Sequence, residues 1–263
     1  MNEITSILLA IGAIYLLASI FLYLYQRKLI YFPVAIDSAF VGEEITVDNQ
    51  ETRLHGWVLN PGKANAVIYF GGNNEMVTHR QEFFEDVFRG YSIYLINYRG
   101  YGLSQGRPSE AGLFADALAI YDQIAPAHET VTAYGRSLGS GVAVYLAANR
   151  PLQKLILLTP YDSVASIAQR IYPIFPVRLL IKDRFDSASR AGDIDIPVLI
   201  AAAERDREVE PRHTQALRQS FNRAAMTYVT IAGAAHNDIV DFPQYRAAVR
   251  EFVVQQGLKP DDS

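Results

Sequence analysis

Val131–Asn149 reads VTAYGRSLGSGVAVYLAAN, and this stretch decides the fold. Val131–Tyr134 is a short apolar run rich in strand formers, and the small and apolar residues from Ser140 to Asn149 follow a helical pattern. Between them stands Gly135-Arg136-Ser137-Leu138-Gly139, so a Gly-x-Ser-x-Gly turn joins a strand to a helix. A serine on such a turn has strained backbone, and the residues two before and two after it must be small to avoid the neighbouring strand and helix. The turn lifts the serine hydroxyl above the sheet edge. The helix N-terminus beneath it favours negative charge, so the first amide past the serine, that of Leu138, can bind an oxyanion. A second copy of the pattern, Gly102-Leu103-Ser104-Gln105-Gly106, runs into Arg107-Pro108-Ser109. That is loop chemistry, and Ser104 reads as a structural serine.

Outward from this turn, strand-length apolar runs alternate with helical patterns. The strands are Ala66–Phe70, Ser92–Asn97, Val131–Tyr134, Lys154–Leu158, Pro197–Ala202 and Thr227–Ile231; the helices lie near Val77–Phe88, Glu110–Ile124, Ser140–Asn149, Pro211–Phe221 and Pro243–Gln256. Continuous apolar runs imply strands covered on both faces, as in a parallel sheet. Ile45–Leu59 alternates instead and reads as an antiparallel hairpin at one edge. The fold expected is a doubly wound α/β domain, mostly parallel, with a mixed first edge. Tyr161–Arg190, broken by Pro173 and Pro176, is too long for a plain crossover. It reads as a helix with a small cap excursion over the carboxyl ends of the strands, or as a kinked helix packed on the sheet.

A serine needs a base, and the base needs an acid to orient it. On a site of this type they follow in the order Ser, Asp or Glu, His. Of the five histidines, His236 lies in a loop after the late strand TYVTI, whereas His213 sits in the first turn of a helix and reads as a surface residue. The acid follows the strand PVLIAA, where Asp206 is preferred to Glu204 and Glu208. Asp193 and Asp195 lie at the wrong end of that strand, and Asp238 is too near His236. The loop after the first long strand, Gly71-Gly72-Asn73-Asn74-Glu75, supplies the second oxyanion amide at Asn73. Arg136 reads either as a contact for an anionic group or as a salt-bridge partner. The spacing of histidines and carboxylates suggests no metal site, and the chemistry calls for no cofactor.

The first segment stands apart. Ile4–Tyr25 carries no charge over 22 residues, which as a helix covers about 33 Å, enough to cross a bilayer. Tyr23, Tyr25, Tyr31 and Phe32 stand where an interfacial aromatic belt would be. Met1-Asn2-Glu3 lacks a basic residue, and the run ends in Tyr-Gln-Arg-Lys, which argues for an uncleaved anchor over a signal peptide or a buried helix. The division expected is an anchor over 1–28 and a catalytic domain over 29–263. Arg27 and Lys28 after the span, with Glu3 before it, place the domain in the cytoplasm by the positive-inside rule.

Composition excludes several classes. The chain has 263 residues, half of them hydrophobic, a net charge of -4 and no cysteine. A disulfide scaffold, a thiolate metal site and a cysteine nucleophile are ruled out, and a basic nucleic-acid footprint is absent. No composition signal fixes an oligomeric state.

The segments QRKLIYFP after the anchor, NYRGYGLSQGRPSE, GRSLGSG, RFDS at Arg184–Ser187, AERD and GAAHND together resemble the α/β-hydrolase superfamily. More narrowly they resemble its membrane-anchored serine hydrolases of the Bem-like and depalmitoylase type, related to serine aminopeptidase-like hydrolases. The likeness covers about Arg27 to Gly257. It implies Ser137 as nucleophile, Asp206 as acid and His236 as base. One departure is that such relatives usually carry His-Gly-Asn in the oxyanion loop, where this chain has Gly71. The function expected is hydrolysis of an ester or thioester with an acyl chain, with Tyr172–Ile181 a candidate pocket lining, though lipid-facing or core packing explains the same residues. The alternatives are an aminopeptidase, which needs an acidic group such as Glu75 or Glu204 to hold an amine, a haloperoxidase- or lyase-like use of the triad, and a membrane-tethered binding protein without catalysis.

Overall fold

The computed structural model describes residues 2–35 and 42–254. Helix α1 (Glu3–Ile30) is capped by Asn2, whose side chain accepts from the amide of Thr5. It is long and apolar enough to cross a membrane, and it continues past the expected boundary at residue 28.

The sheet has eight strands: β1 (Glu43–Asn49), β2 (Thr52–Leu59), β3 (Asn65–Phe70), β4 (Tyr91–Ile96), β5 (Thr130–Arg136), β6 (Lys154–Leu158), β7 (Val198–Ala203) and β8 (Met226–Ile231). Their order is β1-β2-β4-β3-β5-β6-β7-β8. The first two pairings are antiparallel, which is the expected edge hairpin, and the remaining five are parallel. Strands β6 and β7 are buried at every position, as their unbroken apolar runs require. The last strand, β8, lies at the edge and is half exposed, which accounts for the threonines in TYVTI.

Helices α2 (Gln81–Val87), α3 (Glu110–Ile124), α4 (Leu138–Ala147), α5 (Val164–Ile171), α6 (Val177–Leu180), α7 (Ala188–Ala191), α8 (Pro211–Ser220) and α9 (Pro243–Val254) complete the fold. They build two cores. Leu113, Phe114 and Ala117 of α3, Val142 and Ala143 of α4 and Leu217 of α8 pack on one face of the sheet. Phe83 and Phe84 of α2 with Tyr245, Val249 and Phe252 of α9 pack on the other. The expected helix over Val77–Phe88 is shorter, because Val77–Arg80 forms a 3₁₀ turn before α2. The 161–190 region is the excursion rather than one kinked helix: α5, α6 and α7 are separate short pieces.

Candidate active site

The serine turn is sharper than the sequence pattern indicates. Gly135 and Arg136 still belong to β5, in register with Leu157 and Leu158 of β6, and α4 begins at Leu138. Ser137 alone makes the corner, with φ 49° and ψ −119°. That backbone costs a non-glycine residue about 1–3 kcal/mol. The bond from Ser137 N–H to the carbonyl of Leu158 (3.0 Å) and those from the amide and hydroxyl of Ser140 to the carbonyl of Ser137 (2.9 and 2.7 Å) hold it. Both flanking glycines are required. A Cβ on Gly135 would stand 2.7 Å from Cβ of Ala143, and one on Gly139 would stand 2.7 Å from the carbonyl oxygen of Gly71.

The fold brings the other candidates to this corner. Nε2 of His236 lies 2.9 Å from Oγ of Ser137, and its Nδ1 lies 2.8 Å from Oδ2 of Asp206. Oδ1 of Asp206 accepts from the amides of Glu208 and Val209 at 3.0 and 2.8 Å. Both carboxylate oxygens are therefore engaged, and the side chains of His236 and Asp206 are buried.

Asn73 and Leu138 line one cavity with Ser137. Neither amide N–H has an acceptor among the described residues. The carbonyls on the Asn73 side are taken instead: Tyr98 Oη donates to Gly71 O at 2.7 Å and Tyr101 Oη to Asn73 O at 2.8 Å. The side chain of Asn73 donates to Ile30 O at 3.2 Å. These contacts give NYRGYG and QRKLIYFP a physical task, which is to orient the loop that starts at Gly71.

Of the two readings of Arg136, the structure shows the salt bridge; what sequence reasoning missed is its partner, Glu75, and the burial of the pair behind the site. Arg136 Nη1 lies 2.8 Å from Oε2 of Glu75. The same carboxylate accepts from the amide of Gly72 (2.7 Å), Tyr69 Oη (2.8 Å) and Arg80 (3.2 Å). Nη2 of Arg136 reaches Oδ1 of Asn237 at 2.8 Å and the carbonyl of His236 at 3.4 Å. Burial pushes the Glu75 carboxyl up, but the charge of Arg136 and the bond from Gly72 outweigh it and hold the carboxyl below its ordinary value. The network joins the Gly72 loop, the serine corner and the histidine loop. The available signal was a charged residue inside the otherwise small-residue turn at 135–141.

Other candidates lie elsewhere. Ser104 is buried; its Oγ accepts from His55 N–H at 2.9 Å and donates to Asn97 O at 3.0 Å, a structural role as expected. His213 corrects the surface reading: it is buried, with Nδ1 2.7 Å from Oδ1 of Asp162, because α8 packs its first turn against the segment after β6. Glu204 accepts from Gly233 N–H and Asp238 from Ala235 N–H, each at 2.7 Å. Glu208 stands nearer, 3.7 Å from Nε2 of His236. The cavity before Ser137 holds about 260 Å³. Its apolar lining includes Tyr172, Phe175 and Leu180 from the cap, as expected, and Ile167 from α5 with Leu22 and Leu29 from α1, which were not.

Comparison with known proteins agrees with this architecture. The family model described as serine aminopeptidase, S33, matches residues 62–182. An uncharacterized protein of Mycobacterium tuberculosis is 33% identical over 255 residues, covering 90% of each chain. The chain belongs to the α/β-hydrolase superfamily. A yeast (Saccharomyces cerevisiae) relative, described as an uncharacterized membrane protein, is 26% identical over 229 residues, covering 82% of this chain and 81% of its own. Among solved structures, the Pyrococcus furiosus esterase Pf2001 superposes with a TM-score of 0.69 at 16% identity, over 85% of this chain and 97% of its own. This chain therefore shares the esterase's fold, and the S33 family match supports a hydrolase.

Proposed function

We propose that the protein is a membrane-anchored serine hydrolase that cleaves a carboxylic ester or thioester carrying an acyl chain. One observation carries the reading: the hydrogen-bonded chain Ser137–His236–Asp206 at the floor of an apolar cavity. With its proton on Nδ1, His236 donates to Asp206 and accepts from Ser137. Ser137 Oγ attacks the carbonyl carbon as its proton passes to Nε2. Asp206 keeps the tautomer and stabilises the imidazolium. The oxyanion develops between the N–H groups of Asn73 and Leu138; one such donor contributes about 3–4 kcal/mol to lowering the barrier. The leaving alcohol or thiol takes the proton from Nε2, and water, deprotonated by His236, then hydrolyses the acyl-enzyme.

Peptide cleavage is the second reading, favoured by the S33 family match. Glu75 is poorly suited to hold a substrate amine there, being buried against Arg136. Glu208, which lines the cavity, is the better placed carboxylate. Arg27 and Lys28 favour a cytoplasmic domain. The test is turnover of p-nitrophenyl esters of graded chain length against aminoacyl p-nitroanilides. Ester cleavage that rises with chain length supports the proposal. Cleavage of the anilides alone replaces it with the peptidase reading, and no reaction with esters, anilides or a fluorophosphonate leaves a tethered binding protein.

A further inference from the structure

The cavity before Ser137 is closed on one side by α1, and the same face of α1 holds the cap. The half-buried positions of α1 are Ala18, Ser19, Leu22, Gln26 and Ile30, a stripe with helical spacing. Towards the N-terminus, Tyr15 stacks on Phe175 with ring centres 5.2 Å apart and donates to the carbonyl of Ile174 at 3.0 Å. Further along, Gln26 accepts from Lys182 N–H at 2.6 Å and donates to Leu180 O at 3.4 Å. At the domain end, Arg27 pairs with the buried Asp183 at 2.9 Å, and Tyr31 Oη donates to the same carboxylate at 3.1 Å. A simple tether requires none of these contacts.

The contacts also fix a depth. Only Ile4–Ile14, eleven uncharged residues that include Thr5 and Ser6, extends beyond the cap. Eleven helical residues rise about 16 Å, roughly half of a 30 Å hydrocarbon core. For α1 to cross a bilayer, Tyr15 to Tyr25 must lie in it as well, and the cap stacked on that stretch goes in with it. The cap surface suits that placement. Ile171, Ile174 and Leu179 expose 62%, 72% and 85% of their surface, an unusual cost in water for neighbouring large apolar side chains. The exposed cations Lys28, Lys182 and Arg184 follow at the domain end, and Arg178 stands beside Leu179, each on a stem long enough to reach headgroups.

We infer that the cap tip lies in the bilayer, that α1 is a wall of the substrate pocket as well as an anchor, and that the substrate is a bilayer-resident acyl ester whose chain enters between α1 and α5. The substrate clause rests on the serine-hydrolase proposal; the placement of the cap does not. Such a route keeps the chain out of water from membrane to Ser137 and sets the reaction rate by the substrate's density in the membrane.

The absence of cysteine gives a direct test. Full-length Ile174→Cys, Leu179→Cys and Lys63→Cys proteins, the last at the amino end of β3 and so at the opposite end of the sheet, are labelled with a nitroxide in phosphatidylcholine nanodiscs. The oxygen-to-nickel collision ratio is expected to be several-fold higher at 174 and 179 than at 63. Equal, aqueous ratios at all three overturn the bilayer placement. In the second arm, Leu22→Trp is expected to lower the turnover ratio of the dodecanoyl to the acetyl p-nitrophenyl ester about tenfold. An unchanged ratio overturns the pocket-wall role. If the wild type fails to react with a fluorophosphonate, the hydrolase proposal and the substrate clause fall together, while the collision ratios still decide the placement.

Discussion

Replacing Glu75 with Gln tests the buried network directly. The change keeps the shape of the side chain and removes its charge. Both Glu75 and Arg136 side chains are 6% exposed, so the variant leaves a guanidinium buried without its counter-charge. Removing one member of a buried pair costs about 3–5 kcal/mol. For a domain of this size each kcal/mol lowers the unfolding midpoint by about 2–4 °C, so the expected drop is about 6–20 °C. The lost bond frees Arg136, and with it the contacts to Asn237 and the His236 carbonyl. A displacement near 1 Å there slows fluorophosphonate labelling about 10²-fold. Glu75→Gln combined with Arg136→Met is expected to regain much of the stability, because with both charges removed no buried ion is left without its partner. It does not regain the labelling rate, since Asn237 still lacks its donor. The pH dependence has a definite sign. The Glu75 carboxyl is held below its ordinary value of 4.5 in the folded chain, so its stabilisation is present above that value and disappears as pH falls through the folded pKa. The gap between wild type and Glu75→Gln therefore narrows in acid. Thermal unfolding followed by circular dichroism, in detergent between pH 3 and 7, reads all of this. A midpoint within about 2 °C of wild type at neutral pH, with labelling unchanged, refutes the reasoning.

Ser137→Ala should abolish labelling by a fluorophosphonate probe, whereas Ser104→Ala should keep it and lose about 1 kcal/mol of stability with its buried hydrogen bonds. Asp206→Asn should lower ester turnover by about 10³–10⁴ while leaving the fold intact, because the neutral amide favours the wrong imidazole tautomer; steady-state kinetics with p-nitrophenyl butyrate would measure it. Gly135→Val should yield insoluble protein or a chain destabilised by more than about 3 kcal/mol, since its Cβ would stand 2.7 Å from Cβ of Ala143 between strand and helix; soluble expression and the unfolding midpoint would show it.

The fold was legible because its signals are periodic and local. Lys154–Leu158 and Val198–Ala203 are buried on both faces, and that burial is what makes their sequence runs continuous. Glu110–Ile124 matches its expected span residue for residue, because Ser109 accepts from the amide of Gly112 and fixes the start. The Ser137, Asp206 and His236 positions were legible for another reason: each follows the carboxyl end of a parallel strand, and strand order alone brings those ends together. Where the reading failed, no local rule applied. Whether His213 faces solvent depends on Asp162, 51 residues away in sequence and on a different element. The pairing of Glu75 with Arg136 crosses 61 residues; Arg136 stood out inside its turn, but nothing in the neighbourhood of Glu75 announces it as the counter-charge.

Helix α1 gives the sharper lesson about what an apolar run conceals. Read by hydropathy, Ile4 to Tyr25 is uniform, and only its length matters. Read by helical position, Tyr15, Ser19, Leu22 and Gln26 share one side, and three of these four carry polar atoms. In lipid an unpaired polar group costs several kcal/mol, so a stripe of them on one face requires partners. Tyr15 and Gln26 find theirs in the carbonyls and amides of the cap, and Ser19 returns its hydroxyl to the carbonyl of Tyr15. The stripe thus distinguishes a helix that packs against its own domain from one that only holds it near a membrane. By the same reasoning, replacing Gln26 with Leu removes the acceptor for Lys182 N–H, an exposed hydrogen bond with a net worth of about 0.5–1.5 kcal/mol. A passive tether would gain from the added apolar surface instead. The sign of the stability change in Gln26→Leu, measured in nanodiscs, separates the two.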